Sequence, residues 1–158
     1  MSSFFASPPN PAPQPDTSTL VIKNDSWFPD IDLIALRASA RFDGTVTHER
    51  LRESAIDAIS SVNEELAEWR FTHADSATLA DVPAPKIGGE SMQVARYRRA
   101  VYSLAHADLT ERYRDLDTTK SGGQKAEELE ETICQSRRNA RWALNDLRGI
   151  ARTTIELI

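Results

Sequence analysis

Apolar residues recur at intervals of three and four along three long stretches of the chain, which is the spacing of one face of an α-helix. The stretches are 47–70, 91–116 and 124–148. Thr47 is of a residue type that caps helix starts, and Gly149 is of a type that ends helices. A shorter helix is predicted over 31–39. The pattern therefore predicts an all-α fold with a four-helix bundle-like body.

Neither end of the chain follows the helical pattern. Residues 1–25 are rich in proline, and we expect an extended arm there, with a disordered tail as the alternative. Residues 150–158 are rich in β-branched and apolar types, which favour a strand. A lone strand is unstable in water, so the tail is expected to join a sheet edge in another chain. The alternative is that it folds back on its own helices. The helical domain between them is placed at 26–149.

Length and composition set the broad class of protein. The chain has 158 residues, which suits a single domain with a real core, and its hydrophobic fraction of 40% is ordinary for a soluble protein. The formal net charge of -5 argues against a free-standing, non-specific DNA binder. No apolar run is long enough to cross a membrane, and the first residues do not resemble a signal peptide. We therefore expect the protein in the cytoplasm at first, with no membrane partner.

Residues that commonly carry out catalysis are scarce. The single cysteine, Cys134, falls in the apolar pattern of the last helix and is predicted to be buried. The three histidines are widely spaced, and His106 is predicted to be a packing residue rather than a metal ligand. No phosphate-binding glycine loop or nucleophile motif is present. We therefore predict no catalytic residue, cofactor or metal, and an assembly protein rather than an enzyme.

Candidate contact residues lie in the last helix and in both termini. Arg137, Arg141 and Arg148 fall close together on one side of the helix. Three interpretations stay open: a solvated face, a contact with a subunit or partner, and a phosphate-binding stripe. The last of these would suit a helical DNA-binding regulatory module. Phe4 and Phe5 are also candidate contacts, since apolar groups in water are costly.

Six segments, found in order along the chain, carry a resemblance to a known family. They are WFPDID (27–32), NEELAEWR (63–70), LADVPA (79–84), GES (89–91), YRRAVYSLAHADLTERYRDLD (97–117) and RRNARWALNDLRG (137–149). The chain resembles the GPL-type head-completion proteins of temperate contractile-tailed phages over residues 25–158. The arm before Lys23 lies outside the resemblance.

The resemblance implies a structural role in the neck of the virion. Such proteins form a ring beneath the portal protein, commonly of twelve copies, and provide the surface where the tail joins. The implied partners are the portal protein, copies of the same chain, a tail-terminator or tail-completion protein, and packaged DNA passing through without sequence-specific contact. The C-terminal tail would then be the segment that binds the portal. Its residues are Arg152, Thr153, Thr154, Ile155, Glu156, Leu157 and Ile158.

Overall fold

The protein is mostly helical. A computed structural model describes residues 20–40, 46–116 and 122–151. Its helices are α1 (Leu33–Ala40), α2 (His48–Glu65), α3 (Ala67–Phe71), α4 (Met92–Leu116) and α5 (Gly122–Arg148). Its strands are β1 (Val21–Ile22), β2 (Ile31–Asp32), β3 (Lys86–Ile87) and β4 (Glu90–Ser91), and a 3₁₀ turn spans Leu79–Asp81.

These elements confirm that the protein is mostly helical and correct the prediction of an all-α fold. The fold is not purely α-helical, because β1 pairs with β2 and β3 pairs with β4, both antiparallel. A four-helix bundle is not confirmed either, since α1 has only eight residues and α3 only five. The longest helices are α4 and α5, and α4 packs against both α5 and α2.

The core forms around α4. Tyr97, Val101 and Leu109 are fully or almost fully buried on this helix. From α5, Ile133, Ser136, Ala140, Ala143 and Leu147 are buried at alternating steps of three and four, as the sequence pattern predicts. Burying one large aliphatic side chain stabilises a fold by roughly 1.5–3 kcal/mol. The apolar faces of these helices are therefore a large part of what holds the fold together.

The start of α2 is confirmed, and its predicted end is wrong. The Thr47 hydroxyl oxygen accepts a hydrogen bond from the Arg50 backbone N–H at 3.3 Å, so Thr47 is the N-cap. The predicted helix to residue 70 is interrupted at Leu66, a fully buried residue that separates α2 from α3 along the chain. In α3, the Trp69 ring lies 6.1 Å from the Trp27 ring, centroid to centroid.

The residues before α1 form a strand pair instead of the predicted helix start. Ile22 pairs with Ile31, and both side chains are buried. The helix begins at Leu33 because the Asp32 carboxylate accepts hydrogen bonds from the next turn, from Ile34 N–H at 2.7 Å and Ala35 N–H at 3.2 Å. The described part of the predicted arm, residues 20–25, therefore packs against the helical domain.

Several predictions concern residues that the structure does not describe. Phe4, Phe5 and the tail over 152–158 lie outside the described residues. The division into arm, helical domain and tail stays a prediction. In the segment that precedes α4, Leu79 and Val82 are both buried in the core of the same chain.

Candidate assembly surfaces

Three side chains from distant parts of the sequence close a ring of hydrogen bonds beside the core. The Tyr97 hydroxyl donates to Asn63 Oδ1 at 2.6 Å, and Asn63 Nδ2 donates to Asn24 Oδ1 at 2.9 Å. Asn24 Nδ2 completes the ring by donating to the Tyr97 hydroxyl oxygen at 2.8 Å. It also donates to the Pro29 carbonyl oxygen at 3.1 Å. The ring ties the segment after β1 to both α2 and α4.

An aromatic cluster holds the same segment in place. The Trp27 and Phe28 rings meet edge to face, with centroids 4.9 Å apart, and the Phe28 ring stacks on Tyr97 at 5.0 Å. Trp27 Nε1–H donates to the Ser76 carbonyl oxygen at 3.0 Å. The Arg70 guanidinium carbon lies 5.2 Å from the Trp27 ring centroid, within cation–π range. The WFPDID segment, residues 27–32, is therefore held in place by contacts within its own chain.

The electrostatics of this region favour a neutral tyrosine and an ionised aspartate. Burial raises the pKa of the Tyr97 phenol far above its usual range. Burial would also raise the pKa of the Asp25 carboxyl, but hydrogen bonds from the Phe28 and Trp27 backbone N–H groups and from Arg70 oppose it. These bonds lower the Asp25 pKa below its ordinary value of 3.8. The arrangement suits a fixed structural joint.

His106 matches its prediction and Cys134 does not. His106 is half-buried, its Nδ1 lies 2.8 Å from Ser136 Oγ, and burial lowers the pKa of the imidazole below 6.5. Cys134 is exposed, which corrects the prediction of a buried packing role. Ile133, one residue earlier, takes the buried place, and a step of about 100° around the helix moves Cys134 toward solvent. Among the described residues, no group of three or more His, Cys, Asp and Glu is placed to hold a metal ion.

The three arginines singled out on α5 all form ion pairs within the chain. Arg137 Nη2 lies 2.6 Å from Glu111 Oε2 on α4, and Arg141 Nη1 lies 3.8 Å from Glu65 Oε1 on α2. Arg148 also pairs with Glu65. The side chains of Arg137 and Arg141 remain 56% and 69% exposed, whereas that of Arg148 is 23% exposed. Their predicted contact with a partner stays a prediction, and the first two are the more accessible.

Several large apolar side chains lie on the described surface. Phe71 at the end of α3 is 80% exposed, and Ile87 beside the β3–β4 turn is 68% exposed. Val21 and Ile56 line one shallow groove between β1 and α2, close to where residues 1–19 join the described chain. Apolar groups on a surface are commonly found at protein interfaces when they lie together.

The C-terminal tail begins at an exposed corner of the fold. Gly149 adopts a left-handed conformation with φ 74°, which ends α5 as the sequence predicts. The Ile150 N–H then donates to the Asn145 carbonyl oxygen at 2.8 Å. Gly149, Ile150 and Ala151 are all exposed. The chain therefore leaves the helical domain at its surface.

Charged helix faces together with exposed apolar side chains are typical of a protein that acts by contacting other proteins. Among the described helices, none has both the length and the apolar character needed to cross a membrane. Comparison with known proteins then gives the family. Residues 22–158 match the family model of the phage head completion protein (GPL), and the chain belongs to this family of structural phage head proteins.

A curated relative supports the same assignment. The chain is 41% identical over 148 residues to the head completion/stabilization protein of Escherichia phage P2, covering 92% of this chain and 88% of that protein. No solved structure matches this chain. The predicted resemblance is therefore confirmed, and the protein is a phage head completion protein and a virion component.

Sequence reasoning missed the hydrogen-bonded ring of Asn24, Asn63 and Tyr97. Helical spacing places Tyr97 on the apolar side of α4, and nothing in the pattern distinguishes Asn24 or Asn63. No periodic signal joins three residues this far apart in sequence. The available hint was that Asn24 and Asn63 both lie close to aromatic segments that carry the family resemblance.

Proposed function

We propose that this protein completes the DNA-filled head by forming a ring beneath the portal protein and presenting the surface on which the tail assembles. Twelve copies are expected, matching the portal. The observation that carries the proposal is that the match to the head completion family runs through residue 158 and so includes the predicted portal-binding tail. The same match begins only at residue 22, which agrees with leaving the arm outside the resemblance.

The mechanism involves contact and shape, with no bond made or broken. Each subunit would anchor its tail on the portal, while the helical domains pack side by side into a closed ring. The exposed position of Gly149 and Ile150 supports this arrangement, because the tail can leave the domain without unfolding it. The ring would lengthen the channel through which DNA passes and help retain the genome.

The negative net charge of the chain suits a channel that does not bind DNA tightly. Basic linings hold DNA because they release its counterions, whereas acidic linings let it slide. The net charge is -5. The DNA-binding regulatory alternative is less well supported, because the three arginines that it would use lie beside Glu65 and Glu111. Salt-dependent binding of duplex DNA would distinguish it, and we expect none.

Deletion of residues 152–158 tests the portal contact. The truncated protein should keep its helical content and melting temperature, because the described core ends before this segment. It should lose binding to purified portal protein. Unchanged portal binding by the truncated protein would contradict the assignment of the tail.

A matched pair of substitutions sharpens this test. In a strand, Ile155 and Leu157 share one face while Thr154 lies on the other. Replacing both Ile155 and Leu157 with Asp should abolish portal binding if apolar side chains fill pockets at the portal. Thr154→Asp is the control and should bind far better than the double variant. Equal binding by the two variants would exclude a one-sided strand contact.

A further inference from the structure

One exposed face of α5 has an unusual order of charges. We call it the α5 outer face, and it lies within an arc of about 120° around the helix. All of its members are exposed. They are Glu127, Glu130, Glu131, Cys134, Arg137, Arg138 and Arg141.

The charges are arranged with opposite sign about Cys134. Three glutamates precede Cys134 by seven, four and three positions, and three arginines follow it by three, four and seven. Each half is unfavourable within the helix, because Glu127 and Glu131 are like charges four residues apart, as are Arg137 and Arg141. No two opposite charges of this face lie four residues apart, so no such pair stabilises the helix.

The helix dipole does not explain the separation of charges. Its effect falls off within the first and last turns of a helix. Glu131 lies well beyond the first turn after Gly122, and Arg138 lies well before the last turn at Arg148. Moreover, Glu127, Glu131 and Arg138 have no ion-pair partner among the residues that the structure describes.

We propose that the α5 outer face binds the same face of a second copy of this chain in antiparallel orientation, with Cys134 on the two-fold axis. An antiparallel copy places the glutamate half of each helix beside the arginine half of the other. On each side of the contact, Arg138 meets Glu131 of the second copy. Arg137, whose side chain stays 56% exposed beside Glu111 of its own chain, meets Glu130. Arg141, whose side chain stays 69% exposed beside Glu65 of its own chain, meets Glu127 near the midline. Each pair occurs twice, so the contact is electrostatically self-complementary.

Such a contact belongs to the protein before it joins the head. A two-fold contact closes on itself and cannot continue around a ring, which needs head-to-tail interfaces. The pairing would therefore keep free subunits as dimers and cover this face until assembly. It does not depend on the proposed portal ring, because it is a property of the isolated protein.

Charge reversal of the full-length protein tests the pairing. At low ionic strength, analytical ultracentrifugation should find a dimer that dissociates in about 1 M salt, where charges are screened beyond about 3 Å. Arg138→Glu and Glu131→Arg should each weaken dimerisation at least tenfold, since each places like charges together. The double variant should dimerise with itself again. A wild-type monomer at low salt, or a double variant no better than the single ones, would overturn the proposal.

Cys134 gives a second measurement that does not depend on affinity. The axes of packed helices lie about 8–10 Å apart, and facing side chains extend into the space between them. Two facing Cys134 residues are therefore within reach of a disulfide or a short bis-maleimide. Mild oxidation should therefore produce a crosslinked dimer, and high salt should suppress it. The control is Cys134→Ser combined with Ser60→Cys, which moves the thiol to an exposed site on α2. Equal crosslinking from the control would overturn the proposal.

Discussion

The substitution Tyr97→Phe tests the hydrogen-bonded ring that fixes the segment after β1. It removes one oxygen atom and keeps the buried aromatic ring, so it leaves no large cavity. Asn63 Oδ1 loses its donor, and one N–H of Asn24 loses its acceptor. Because the other N–H of Asn24 still donates to the Pro29 carbonyl oxygen, two polar groups in all lose their partners.

The expected loss of stability follows from these two groups. A buried polar group left without its partner costs about 1–3 kcal/mol. The ring is only partly buried, so some rehydration is expected, and we predict a total loss of about 2 kcal/mol in the free energy of unfolding. For a chain of this length that corresponds to a fall of about 4–8 °C in the melting temperature. Thermal and urea unfolding followed by circular dichroism measure both quantities.

Tyr102→Phe is the matched control for this experiment. Tyr102 is half-buried on the same helix, and its hydroxyl has no hydrogen bond to any residue that the structure describes. Its substitution should change stability little. Adding Asn63→Ala to Tyr97→Phe should cost less than the sum of the single losses, since both remove the same hydrogen bond. Equal melting temperatures for Tyr97→Phe and Tyr102→Phe would refute the structural role of the ring.

Three other predictions concern stability. The lowered Asp25 pKa means that its contribution is present above its ordinary value of 3.8 and is lost as pH falls below it, so Asp25→Asn should flatten the acid side of the unfolding profile. Burial lowers the pKa of His106, so the unfolded state binds its proton more readily, and wild-type stability should fall below about pH 6.5 more than that of His106→Gln. Gly149→Ala should lower stability by about 1 kcal/mol through its positive φ, measured by urea unfolding. An unchanged Gly149→Ala midpoint, or identical pH profiles for either variant and the wild type, would contradict the corresponding reasoning.

The long helices could be predicted from the sequence because their signals are local. Thr47 and Gly149 mark helix ends through their own side-chain or backbone chemistry. The apolar spacing of α4 and α5 repeats over many turns, so the buried faces are defined many times over. Errors of one or two residues at the helix starts do not alter these faces.

The segment around Trp27 could not be predicted in the same way. A strand of two residues has no periodicity, and its pairing depends on tertiary contacts such as the bond from Trp27 to Ser76. The interruption at Leu66 also has no sequence signal, since the apolar pattern continues through it. The prediction that Cys134 is buried is wrong, and the sequence contains a signal against it. Glu127 and Arg141, seven residues to either side, are charged and share its exposed face.

Electron microscopy of the full-length protein mixed with purified portal protein tests the central claim most directly. We predict added density in the form of a closed ring, coaxial with the portal and attached at one end of it. Removal of residues 152–158 should abolish that density. Portal particles that stay unchanged in the presence of excess protein would contradict the proposed role.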